Sequence, residues 1–561
     1  VGYNKNKLPD ATATEKYRKR YKQLLDEVTD FKVYWKDLND YISPRKGRYL
    51  TDDTSQFNEG KKKNQRIING TATAAVKVLA SGMQGGLTSP SMPWFTLGVG
   101  DKELQETHNV RVWLEETRNR MLAILSRSNF YGAANSFYRE LAINGTGSML
   151  VLEDFKTVIR CRPFTIGEYV LALDSSYRPD TLYRKYSMSV LQMVEEFGYD
   201  NVSIQVQQAF DSRQTEQRHD VIHCIQPNGK QEIDAEDESG MAYESVYFEE
   251  GTADKDKFLR KSGYKSKPFI SSRWDVTGVD TYGDSPAMDA LGDIKMLQKM
   301  EEKKLKALDK IVDPPMNAPT ALRGKGGSVV PGGVNYYDAA QGSTGFTPSY
   351  QINLDISNVG VEVQKVEQRI KQTFFNDLFL SILGSEKENM TATEVAKIHE
   401  EKLSQLGAVI ERIESEFLDP FITRVYNIME NMGVLPEKPE ELEGLKQPNI
   451  EYISILSQAQ RLAKRNSIEG TMAFVGGLAG IQEDIIDKID FDEAVDVYAA
   501  SAGMPTGLIR SDEQVAEIRE ARAAAAEEEK QRMQAQEDIQ GAKLLSETKT
   551  TPGTALADME L

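Results

Sequence analysis

Only two cysteines, Cys161 and Cys224, occur in 561 residues. Two thiols cannot form a disulfide framework in a chain this long, and their scarcity points to a reducing compartment. No stretch approaches 18 consecutive apolar residues, and residues 1–13 are polar with no apolar signal core, so a soluble, unexported protein with no membrane partner is expected. A phosphate loop is also missing. Gly324 to Ser328 (GKGGS) is too short for G-x-x-x-x-G-K-[ST], which excludes a P-loop ATPase. Positive charge is in deficit, 68 Lys and Arg against 86 Asp and Glu for a net −18. That argues against gripping nucleic acid by bulk charge and leaves room only for a local basic band.

The chemistry that remains is thin. His219, His223 and Cys224 (HDVIHC) suggest a metal site, but on a strand positions 219 and 223 lie about 13 Å apart, too far for one ion. His399 to Lys402 (HEEK) lacks the second His of a zincin, and His108 has no recognisable partner. Asp284, Asp289 and Asp293 could suggest a metal-dependent nuclease; they are better read as favourable charge at a helix start. Gly283-Asp284-Ser285 is followed by Pro286, so Ser285 reads as a helix cap and not a hydrolase nucleophile. No metal, cofactor or enzymatic activity is expected.

What is present is length and pattern. Hydrophobic residues at 40% supply a core for several domains. Apolar residues at helical spacing predict helices over 17–42, 71–82 and 110–142, the first stopped by Pro44 and the second broken at Gly85-Gly86. From Ser148 to about 280 the pattern turns to short strands: Met149–Val158, Tyr169–Leu173, Val202–Phe210 and Val221–Ile225. Gln231–Gly240 reads as an acidic loop tip.

Three long helices follow. The first runs 285–311 with Leu291, Ile294, Leu297, Leu305, Leu308 and Ile311 as one apolar stripe, and ends at Asp313-Pro314-Pro315. The second spans about 355–383. The third opens at the capping-box pair Thr391 and Glu394, with a kink expected in the turn before Pro420. Between the first two lies a Pro- and Gly-rich module, 312–354. Ser511 and Gln514 open a last, Ala- and Glu-rich helix to about Gln540, and a disordered tail is expected from Thr548. The fold class is α+β, mainly helical.

Two features could serve a function. Lys299, Lys303, Lys306 and Lys310 fall on one face of the first long helix, either a solvated face paired with Glu301, Glu302 and Asp309 or a basic band. Ser385, Glu386, Lys387, Glu388, Asn389 and Met390 form a polar link between two long helices, by default an ordinary connection.

Local strings then add a family. Tyr41-Ile42-Ser43-Pro44, Leu79-Ala80-Ser81-Gly82-Met83, Leu87-Thr88-Ser89-Pro90 and Pro93-Trp94-Phe95 come first. Ser128-Asn129-Phe130-Tyr131, Asn144-Gly145-Thr146-Gly147, Pro268-Phe269 with Arg273-Trp274, Tyr282-Gly283-Asp284-Ser285-Pro286 and Met390-Thr391-Ala392-Thr393-Glu394 follow. Over residues 15–430 their order resembles the portal, or head-to-tail connector, proteins of short-tailed bacteriophages. The resemblance implies a ring of about twelve subunits at one capsid vertex, through which double-stranded DNA is packaged and ejected. It implies as partners further copies of the chain, major capsid and scaffolding proteins, terminase, and tail adaptor or nozzle proteins. It places the protein in the virion after assembly in the host cytoplasm.

In that frame 1–284 and 393–505 resemble the wing, and 285–311 and 355–383 the stem. Residues 312–354 resemble the clip, with Arg323 and Lys325 as docking candidates, and 384–392 the tunnel loop. Residues 506–561 resemble the crown or barrel helix and tail. The lysine face and Ser385 to Asn389 become candidates for contact with DNA in the channel. A non-ring helical scaffold or adaptor of virion assembly is the competing reading, its long helices serving as coiled-coil arms.

Overall fold

The computed structural model describes residues 14–50, 66–101, 104–105, 107–229, 240–251, 257–317, 347–349, 356–382, 405–442, 448–458 and 512–547. The chain divides into two compact units, Val1–Glu469 and Gly470–Leu561. The described part of the second is a single helix, Asp512–Glu547, mixed in Ala, Glu and Arg with no continuous apolar stripe.

The first unit is α+β and mainly helical. Its helices are α1 (Glu15–Glu27), α2 (Thr29–Ile42), α3 (Thr71–Leu87), α4 (His108–Arg127), α5 (Phe130–Asn144), α6 (Val190–Phe197), α7 (Ile204–Asp211), α8 (Pro286–Val312), α9 (Ile356–Thr373), α10 (Asn376–Ile382) and α11 (Asp419–Asn431). The expected 17–42 helix is two, meeting at Val28. The 110–142 run is also two, parted at Ser128-Asn129. The helix from Thr71 passes straight through Gly85-Gly86 to Leu87, because its small-residue face packs against α5 and α10 and that burial offsets the glycine cost.

Strands β1 (Phe95–Gly98) and β12 (Asn449–Tyr452) pair antiparallel. Strands β2 (Thr146–Asp154), β3 (Val158–Pro163) and β9 (Phe269–Arg273) form a sheet in the order β3-β2-β9. Strands β4 (Tyr169–Leu173), β5 (Pro179–Ser189), β6 (Arg218–Pro227), β7 (Tyr243–Glu249) and β8 (Arg260–Tyr264) form an antiparallel meander in chain order. Met316–Asn317 (β10) and Thr347–Pro348 (β11) pair at the base of the 312–354 module. The expected single strand Met149–Val158 is the end of β2 and a turn into β3. Val202–Phe210 is not a strand. Ser203 caps Val206 N–H at 3.4 Å and Ile204–Asp211 is helical, so the apolar run that resembles a strand buries Val202, Val206 and Ala209 at helical spacing.

The expected kink lies where proline predicts it. A π-helical stretch, Glu414–Leu418, precedes Asp419-Pro420, since Pro420 cannot donate to the preceding turn. This irregular backbone is held firmly. Phe417 stacks on Phe137 at 4.2 Å and Phe421 on Phe130 at 4.3 Å. The Glu416 carboxylate accepts the Arg273 backbone N–H at 2.9 Å and its guanidinium at 2.6 Å.

Candidate functional site

Helix α8 starts at a junction of backbone turns. Gly145, at φ +72°, follows α5, and a β-carbon there would sit 1.9 Å from the Gly283 carbonyl oxygen. Only glycine fits that approach. Gly283 N–H donates to Thr146 Oγ1 at 2.9 Å, and Trp274 N–H to Gly145 O at 2.8 Å. Ser285 Oγ accepts from Met288 N–H at 3.2 Å and donates to Ile143 O at 2.8 Å. The cap predicted for Ser285 is therefore real, and it also ties α8 to the end of α5. Burial, then the charges of Asp284 and Asp275, raise the Asp289 carboxyl in the first turn of α8.

The two halves of α8 differ. Ala287, Ala290, Leu291, Ile294, Leu297 and Gln298 are buried. Gln298 Oε1 accepts Ile68 N–H at 2.7 Å and Asn69 N–H at 2.8 Å, while its Nε2 donates to Asn69 O at 2.8 Å. Asn69 then donates to Glu367 of α9 at 2.7 Å, and Arg369 of α9 makes two bonds to Asp293, at 2.9 and 3.2 Å. The segment entering α3 thus fastens both α8 and α9. No spacing rule in the sequence pairs residues 69 and 298, and sequence reasoning missed them.

Past Gln298 no residue of α8 is buried. The apolar stripe predicted as continuous is therefore buried only in its first half: Leu305 is 48% exposed and Val312 82%, and Ile311 lies open too. Lys299, Lys303, Lys306 and Lys310 are all exposed, on the face opposite Ile294, Leu297 and Gln298. Lys306 pairs with Glu302 at 2.5 Å, whose carboxyl is held below its usual range by that hydrogen bond first and then by the charges of Lys306, Lys299 and Lys303. Lys304 pairs with Glu301 at 2.7 Å.

Helix α9 buries Val363, Val366 and Ile370. The expected second helix does not run unbroken to 383. Phe375 takes φ +53°, a left-handed conformation that ends α9 and turns α10 onto α3. The other predicted site residues, Arg323, Lys325, Ser385, Glu386, Lys387, Glu388 and Asn389, lie outside the described residues, as does the capping pair Thr391 and Glu394.

Of the metal candidates, His223 and Cys224 are core residues and His219 is only half-buried. His223 is fully buried; its Nδ1 faces Arg184 Nε at 3.2 Å, its Nε2 faces Ser245 Oγ at 2.9 Å, and its ring stacks on Tyr247 at 3.9 Å. Burial first, then the charges of Arg184, Arg260 and Arg162, press its pKa well below normal. Burial raises the thiol of Cys161 to about 12 and that of Cys224 well above its ordinary value. Among the described residues no group of three His, Cys, Asp or Glu could hold a metal ion. No helix there is long and apolar enough to cross a membrane.

Residues 14–509 match the family described as "Bacteriophage head to tail connecting protein". The chain belongs to that family. It is 40% identical over 540 residues to the probable portal protein of Bordetella phage BPP-1, covering 96% of each chain. It is also 40% identical over 546 residues to the portal protein of Salmonella phage epsilon15, covering 97% of each. A chain from the neck of an empty GTA particle aligns with TM-score 0.35 and 10% identity over 73% of this chain and 86% of that one, too low to speak to the fold. In this head-to-tail connecting protein, the strings 144–147, 273–274 and 282–286 converge on the junction from which α8 springs.

Proposed function

We propose that the chain is the portal subunit of a phage virion, joined with about eleven further copies into a ring at one capsid vertex. The ring passes double-stranded DNA inward during packaging and outward at ejection. It docks terminase, and later the tail adaptor or nozzle proteins, through the 312–354 clip, where Arg323 and Lys325 are the docking candidates. The wing, 1–284 and 393–505, meets capsid and scaffolding proteins; assembly takes place in the host cytoplasm. The protein performs no covalent chemistry in this role.

The observation that carries the reading is the second half of α8. A helix that buries nothing past Gln298 yet carries Leu305, Ile311 and Val312 costs apolar exposure unless a neighbouring copy covers it. Val361 of α9, also exposed, belongs to the same uncovered stem. Opposite that flank, the exposed lysines supply a few positive positions on an otherwise acidic chain. A channel so composed contacts phosphate without holding it, because each neutralised phosphate adds affinity and would slow sliding. The loop 384–392, with Ser385 to Asn389, is the proposed constriction.

The test is the native mass of the purified protein, with particle images of the same sample. Rings of about twelve subunits with a hole of roughly 20 Å or more are expected. A chain that stays monomeric or dimeric even with its capsid and scaffolding proteins would sink the reading and leave a non-ring adaptor. In a packaging assay, Lys303→Glu with Lys306→Glu should slow DNA entry while rings still form.

A further inference from the structure

The turn between β2 and β3 places Phe155 in solvent at 100% exposure. Single exposed apolar residues are ordinary; this one is held rigidly. The Asp154 carboxylate accepts Lys156 N–H at 3.2 Å, and the Thr157 hydroxyl lies 2.7 Å from it and 2.9 Å from Ile159 O. Val158 is fixed at φ +67°, a conformation a β-branched residue adopts only where its surroundings impose it. Adding a strand is barred at the middle of β3, because Asn129 Oδ1 accepts the Cys161 N–H at 2.9 Å and its Nδ2 donates to Cys161 O at 2.6 Å. The tip is what this hairpin offers. Glu153 faces Arg424 at 3.7 Å, and Asp154 keeps its charge in the turn, so the tip presents the exposed Lys156 and Arg160, neither in an ion pair among the described residues, against the one Asp154 carboxylate.

A complementary surface lies elsewhere on the chain. Helices α6 and α7 form a lobe with its own small core of Val190, Met193, Phe197, Val202 and Val206. Its outer surface exposes Leu191, Tyr199 and Ile204, the last at 70%. Between 190 and 216 stand Glu195, Glu196, Asp200, Asp211 and Glu216 against Arg213, five carboxylates to one arginine and a net −4. Arg260 from β8 offsets one of them, at Glu196, 2.9 Å away, and the Lys257 ammonium lies on the lobe as well, 2.8 Å from Asp200 O and 2.9 Å from Val202 O, which leaves an excess of two carboxylates.

We propose that the β2–β3 tip docks on the α6–α7 lobe of a second copy of this chain, with Phe155 seated among Leu191, Tyr199 and Ile204. Phe155 is wholly exposed, so its own chain does not cover it. A rigid aromatic anchor loses little freedom on binding, and Lys156 and Arg160 match the acidic lobe in sign. Two different patches that meet head to tail generate a ring when the rotation closes. The inference rests on the ring reading and adds to it a contact in the wing, away from the stem.

The test exploits the scarcity of thiols. Cys161 and Cys224 are both buried, so Phe155→Cys, or Lys156→Cys with Phe155 kept, carries one accessible thiol for a photoactivated crosslinker. Native mass is recorded on the same full-length sample, with capsid and scaffolding proteins present if they are needed for assembly. Rings whose crosslinks run between copies and map to 190–216 are the expected result. The charge reversals Lys156→Glu and Arg160→Glu should cut the crosslink yield several-fold, and adding Glu195→Lys and Asp200→Lys should restore it. Rings that crosslink elsewhere, or not at all from either site, overturn the inference and leave the ring standing. If no ring forms, the portal reading itself falls and the inference falls with it.

Discussion

A β-carbon placed on Gly82 of α3 would lie 2.4 Å from the β-carbon of Phe379 on α10. Helix α10 is therefore seated directly on the backbone of α3, and the Phe375 turn is what aims it there. Gly82→Ala forces the two helices apart. Overpacking of this kind costs typically about 1–3 kcal/mol, so the melting temperature should drop by several degrees. Phe379→Ala in the same chain should recover part of the loss. A full-stability Gly82→Ala protein would show that α10 is free to slide.

Gln298→Ala should loosen the hold of the 68–69 segment on α8. It removes the acceptor of the part-buried Ile68 and Asn69 N–H bonds, at a cost of about 0.5–1.5 kcal/mol for each hydrogen bond lost. Denaturant unfolding of the variant reads the loss directly, and hydrogen exchange should quicken first at 68–71.

His223 makes the five-stranded sheet sensitive to acid. Its folded pKa lies well below that of the unfolded chain, near 6.5 for histidine, so the unfolded state binds a proton first. Stability from the neutral ring is then present above about pH 6.5 and is lost as pH falls below it. Melting followed from pH 7.5 to 5.5 should show this decline. In His223→Gln, which keeps hydrogen-bonding capacity without titrating, the slope over that window should flatten even if the starting stability is lower.

The exposed lysines should be dispensable for folding. Lys306 and Glu302 form a surface pair on one helix face, and such pairs contribute little because water screens them and ordering long side chains costs entropy. Lys306→Ala should leave the melting temperature nearly unchanged, so a packaging defect in that variant would report on the proposed channel and not on unfolding.

Leu305→Ser with Val312→Ser should act the other way on assembly. Neither side chain is buried within the chain, so the subunit should melt at nearly its normal temperature. If a neighbour covers them, the proportion of rings in native mass measurements should fall. Unchanged ring yield would move the subunit contact off this flank.

Several elements could be read without any structure, and each depends on signals within one turn or one strand. Ser285-Pro286 marked the start of α8, the helical period located α9, and Pro420 announced the distortion at Glu414–Leu418. Tyr169–Leu173 was legible as a strand from its β-branched and aromatic content. Where local cues conflict, packing chose. Val202–Phe210 suits a strand, yet a cap at Ser203 and a small core made it helix. Gly85-Gly86 should end a helix, yet contact with α5 and α10 carries α3 across it.

The amino-acid order by itself determined the class of protein: acidic, mainly helical, with a lysine face on a capped helix and a chain of short strings in the sequence of a connector. Periodicity, caps and charge are properties of neighbours along the chain, so they need no coordinates. Only the tertiary structure decided which half of α8 is buried, that Asn69 reaches Gln298, that Gly82 admits Phe379, and that His223 is a core residue between arginines. Those outcomes depend on distances between residues far apart in the chain, and such distances are set by how the helices and sheets pack.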